Sequence, residues 1–61
     1  MIHKNIKRIC EERGMSICQL ERDSGLSNGA ITKWKTAKPT IDNLQAVAKV
    51  LQVPIEELLK E

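Results

Sequence analysis

Phenylalanine and tyrosine are absent from this chain, and Trp34 is its single aromatic residue. Binding of single strands by stacking needs several exposed rings, so composition argues against that mode. Histidine occurs once, as His3, and cysteine twice, as Cys10 and Cys18. They form neither a C-x-x-C pair nor a usual four-ligand set, so no zinc site, dithiol redox site or other cofactor is expected. Both cysteines read as ordinary thiols, buried or half-buried. No run of about 18 apolar residues offers a membrane span. No charged start leads into an apolar block with a small-residue cleavage site, so the chain is expected in the cytoplasm with no membrane partner. Glu11-Glu12 and Glu56-Glu57 are adjacent in sequence, so each pair points to different sides of a helix rather than into one cleft. Without a nucleophile, base and orienter, the chain does not read as an enzyme, and no small-molecule substrate is evident.

What is present suits helices. The 61 residues make one domain, 1–61, near the lower limit for independent folding, since a chain this short buries only roughly 60% of its unfolded surface. Its apolar residues are mostly Ile, Leu, Val and Ala, which favours a compact all-α fold with narrow helix contacts.

The net charge of +2 is modest, but it is unevenly spread. Residues 1–13 carry +2, residues 14–26 carry −1, residues 27–39 carry +3 and residues 51–61 carry −2. The segment from Ser27 to Pro39 holds Lys33, Lys35 and Lys38 and no acid. Basic blocks on a small domain point to a polyanion, usually nucleic acid.

Ile2, Ile6, Ile9 and Cys10 recur at i, i+4, i+7 and i+8 and draw one stripe down a first helix, with Gly14 as its left-handed stop. Lys4, Lys7 and Arg8 fall off that stripe and face solvent or phosphate. Ser16 is a natural N-cap with Gln19 three residues on, opening a second helix over about 17–24 in which Leu20 is the firm core residue. Gly25 supplies a tight turn, Leu26 plugs it, and Ser27 caps a third helix over about 28–36. Two short helices joined by a Gly-containing turn of three or four residues are the signature of a helix-turn-helix.

Advancing about 100° per residue from Asn28, the third helix places Ala30, Trp34 and Ile31 near 200°, 240° and 300°, a contiguous inward arc. Asn28, Gly29, Thr32, Lys33 and Thr36 lie opposite. That outward face suits base edges: Asn can bond adenine twice, Lys can donate to guanine, and a Thr methyl can touch a thymine methyl. Gly29 there either lets the backbone approach the groove or is simply tolerated in a first turn.

These residues carry a resemblance. The pattern Ser16-x-x-x-Leu20-x-x-x-x-Gly25-Leu26-Ser27-x-x-x-Ile31-x-x-Trp34 resembles the helix-turn-helix of phage-repressor type, the Cro/CI or Xre family. The likeness continues through Thr40-Ile41-x-x-Leu44-x-x-Val47-Ala48-x-x-Leu51 and Val53-x-Ile55-x-Glu57-Leu58-Leu59, which look like the fourth and fifth helices. The resemblance implies a five-helix, lambda-repressor-like bundle whose third helix enters the major groove of double-stranded DNA. It implies base reading by Asn28, Gly29, Thr32 and Lys33, and phosphate contacts from Ser27, Thr36 and Lys38, to which Lys35 adds positive charge. It also implies a regulator of transcription, repressor-like and bacterial or phage in type, and a homodimer on a palindromic operator. The chain departs from the pattern at Ile17, where many members carry a phosphate-contacting Gln, and at Glu21, where they often carry a small residue. Lys35 and Ala37 stand where members often have Glu and Gly.

The remainder reads as scaffold. Thr40 caps a fourth helix whose stripe is Leu44, Val47, Ala48 and Leu51, and Pro54 opens a last one, Ile55 to Lys60. An alternative reading is a protein-interaction module without specific DNA reading, if Ile55, Leu58 or Leu59 forms an exposed apolar patch.

Overall fold

A computed structural model describes residues 2–61. The helices are α1 (Ile2–Glu12), α2 (Ile17–Asp23), α3 (Ala30–Lys33), α4 (Ile41–Leu51) and α5 (Glu56–Leu59). Among the described residues there is no strand, and the all-α, five-helix expectation holds.

The apolar stripes converge on one core. Ile6, Ile9 and Cys10 of α1, Leu20 of α2, Ile31 of α3, Leu44, Val47, Ala48 and Leu51 of α4, and Leu58 of α5 are buried together. Ile2, Met15, Ile17, Leu26, Trp34, Val50, Val53 and Ile55 pack around them, half-buried. Ile17 therefore has a packing role at the position where the family pattern has a polar side chain.

Local chemistry sets the helix boundaries. The Ser16 hydroxyl accepts from the Gln19 N–H at 3.0 Å, and the Thr40 hydroxyl accepts from the Asn43 N–H at 3.2 Å. Each satisfies a first-turn donor that has no partner inside its own helix. α1, α2 and α4 all stop in the same way. In each, an N–H just past the helix returns to a carbonyl five residues back: Met15 to Cys10, Leu26 to Glu21, and Val53 to Ala48. The residue before each donor is left-handed: Gly14, Gly25 and, unusually, Gln52 at φ 59°.

α5 is shorter than the Ile55-to-Lys60 expectation. Asn5 of α1 holds its end, donating from Nδ2 to the Leu58 carbonyl at 3.0 Å and to the Lys60 carbonyl at 2.6 Å. The apolar patch considered for this helix is reduced to Leu59, which is 46% exposed, because Leu58 is fully buried and Ile55 half-buried. Cys10 is buried as expected, whereas Cys18 is exposed, contrary to the reading of both as core or half-buried thiols. Burial raises the Cys10 thiol pKa, with a smaller push from Glu11.

Candidate nucleic-acid interface

The turn between α2 and α3 is built around Gly25, whose φ of 75° lets Leu26 fold back onto the core while its N–H bonds the Glu21 carbonyl at 2.8 Å. Beyond it the third helix differs from expectation. Its α-helical part is Ala30–Lys33, not 28–36, and its N-cap is Gly29 rather than Ser27. Gly29 is left-handed at φ 89°, a conformation that side-chain-bearing residues disfavour. Asn28 and Gly29 therefore lie in the turn before α3, and the angular map drawn from Asn28 applies only from Ala30 onward. Past Lys33 the chain keeps winding, with tighter bonds from Trp34 to Ile31, Lys35 to Thr32 and Thr36 to Lys33. Positions 34–36 thus continue the coil as turns.

Four α-helical residues do not hold a helix in water by themselves. Two anchors hold α3. Ile31 is fully buried, and burying such a side chain contributes about 1.5–3 kcal/mol. The second anchor is Glu21 of α2, 3% exposed, whose carboxylate accepts from the Gly29 N–H at 3.0 Å and from the Ile31 N–H at 2.9 Å. A carboxylate thus does for α3 what a capping side chain does for α2 and α4. Reasoning from the sequence missed this residue. The signal was there: Ile17, Leu20 and Glu21 share one stripe at i, i+3 and i+4, and a charge on a core stripe requires a partner.

With α3 so anchored, its faces separate as the sequence suggested from Ala30 onward. Ile31 is buried and Ala30 and Trp34 are half-buried, while Thr32 and Lys33 are exposed. Trp34 lies on the inward arc as expected and is half-buried, so it is a partial anchor. Lys35, Thr36 and Lys38 are exposed just beyond, as are Ser27 and Asn28 just before. Gly29 is half-buried. The Thr36 hydroxyl lies 3.5 Å from the Lys33 carbonyl, and the Cys18 thiol lies 3.5 Å from Oδ1 of Asn28.

The electrostatics are one-sided. Lys33, Lys35 and Lys38 have no ion-pair partner among the described residues, where the ion pairs are Arg8–Glu12 and Lys60–Glu57. His3, at the start of α1, has its pKa lowered first by burial and then by repulsion from Lys35 and Lys7, so it is neutral at pH 7. Among the described residues no cluster of metal-ligating side chains occurs, and no helix is long and apolar enough to cross a membrane.

The resulting surface is a short, firmly anchored helix with exposed hydroxyl and amine groups, flanked by lysines that have no ion-pair partner among the described residues. A search of curated proteins returns no match to this chain. A family model for the Cro/C1-type HTH DNA-binding domain matches residues 5–60, from the second turn of α1 through α5. With that match covering nearly the whole chain and the helix-turn-helix in place, the protein belongs to the Cro/C1-type helix-turn-helix DNA-binding domain family.

Proposed function

We propose that this chain is a sequence-specific regulator of transcription that binds double-stranded DNA with α3 in the major groove. It acts as a repressor of bacterial or phage type in the cytoplasm. The observation that carries the reading is Thr32 and Lys33 exposed side by side on a helix that Ile31 and Glu21 hold from behind. A reading helix must be rigid as well as polar, because base contacts discriminate only when their donors and acceptors are held in place.

In this reading Thr32 and Lys33 contact base edges from α3, and Asn28 joins them from the preceding turn. Gly29 has no side chain, and its N–H is engaged by Glu21, so its part is to let the backbone come close. Ser27, Lys35, Thr36 and Lys38 flank these residues and meet phosphates, which positions the domain without reading sequence. Two copies on a palindromic operator would set the half-sites about one helical turn apart.

Selection from random duplexes tests this. The expected result is an enriched motif with two inverted half-sites, bound with an affinity that falls steeply as salt rises. No enrichment, together with no retention of duplex at low salt, would overturn the reading.

A further inference from the structure

A groove of about 620 Å³ lies between the start of α1, the exit of α3 and the C-terminal segment. Ile2, Trp34 and Leu59 contribute apolar surface to its lining, and Lys4, Lys35 and Lys38 contribute positive charge. Those three lysines have no ion-pair partner among the described residues, and Glu61 is the only acid in the lining. Like charges gathered around a groove repel one another, so an anion that enters is attracted by all of them.

Two features decide which anion. Lys35 and Lys38 belong both to this groove and to the phosphate-contacting set, so the groove continues the DNA-facing surface. Its mixed lining also matches a sugar-phosphate strand, which alternates apolar deoxyribose faces with charged phosphates.

We propose that this groove carries a stretch of the DNA backbone and that Lys4 is a phosphate-contacting residue supplied by α1 rather than by the helix-turn-helix. The inference rests on the DNA-binding reading above. His3 shares the groove, and its pKa is lowered first by burial and then by the nearby Lys35 and Lys7. Trp34, the only tryptophan in the chain, is half-buried in the lining and offers an emission signal at the groove.

The test measures binding of a labelled mixed-sequence duplex across a salt series for wild type, Lys4→Ala and Lys49→Ala. Lys49 is an exposed lysine of α4 outside the groove. Lys4→Ala is expected to lower the magnitude of the salt slope by about 0.9, the loss of one phosphate contact. Its affinity should fall by the same factor on the preferred and on the mixed duplex. Lys49→Ala should keep the wild-type slope, and Trp34 emission should change when the wild type is saturated with duplex. A wild-type slope in Lys4→Ala would overturn the proposal and leave the DNA-binding reading standing. Absence of duplex binding by the wild type would overturn both. A dimer lost in Lys4→Glu with the salt slope unchanged, or an acidic peptide that alone alters Trp34 emission, would give the groove a different occupant and overturn the proposal.

Discussion

Oε2 of Glu21 accepts a hydrogen bond from the Ile31 N–H at 2.9 Å, in a buried contact that spans ten residues of sequence and joins α2 to α3. Its other oxygen accepts from Gly29, so one carboxylate serves two donors at the opening of α3. Glu21→Ala would strand both donors and is expected to destabilise the domain by about 2–3 kcal/mol. Glu21→Gln keeps one acceptor oxygen and should lose about 1 kcal/mol. Urea unfolding measures both; an alanine variant as stable as wild type would show that α3 does not depend on this contact.

Two left-handed residues make opposite predictions. Gly29 has φ 89° and open space where a Cβ would stand, so Gly29→Ala meets no neighbouring atom but strains the left-handed backbone, at a cost of about 1–2 kcal/mol. Gln52 occupies the same kind of conformation at φ 59° with a side chain, so Gln52→Gly should stabilise the fold by about 1 kcal/mol. Thermal unfolding of the two variants should move in opposite directions from wild type. Movement in the same direction would contradict the backbone argument.

Base reading and phosphate contact separate by substitution. Thr32→Ala and Lys33→Ala should each reduce discrimination between preferred and mixed duplexes by about 1–3 kcal/mol, whereas Lys38→Ala should weaken both alike. All three residues are exposed, so these changes leave the core untouched. If Lys33→Ala keeps full preference, α3 does not present that side chain to the bases.

His3 gives the pH dependence. Burial, then Lys35, then Lys7 hold its pKa below the ordinary 6.5. Lys4, Lys38 and Glu61 share its groove. The unfolded chain therefore takes up this proton first as pH falls, and stability drops between pH 6.5 and the lowered value and levels off below it. Phosphates in the groove would act the other way, raising the pKa, so DNA affinity should rise as pH falls through the same region. NMR titration of the single imidazole checks this: the midpoint should lie below 6.5 and move up in Lys35→Gln. An unshifted midpoint in that variant would remove Lys35 from His3's surroundings.

The local features were legible because their causes lie within a few residues. The stripes of α1 and α4, the caps at Ser16 and Thr40, and the turn at Gly25 all follow from helical period and capping chemistry. The same reasoning separated Ile31 from Thr32 and Lys33, because the angular step is reliable inside a helix. It failed at Asn28 and Gly29, because it assumed that the helix had already begun.

The sequence by itself determined an all-α chain with a helix-turn-helix and an uncompensated basic segment, since periodicity, capping residues and charge runs are written along the chain. The tertiary structure decided where α3 starts, how deeply Trp34 sits, that Cys18 stays exposed, and how α5 is tied down. These depend on contacts between residues far apart in sequence. Glu21 meets Ile31 across ten positions and Asn5 meets Leu58 across 53. A local rule has no access to such pairs, because each exists only once the core has brought its helices together.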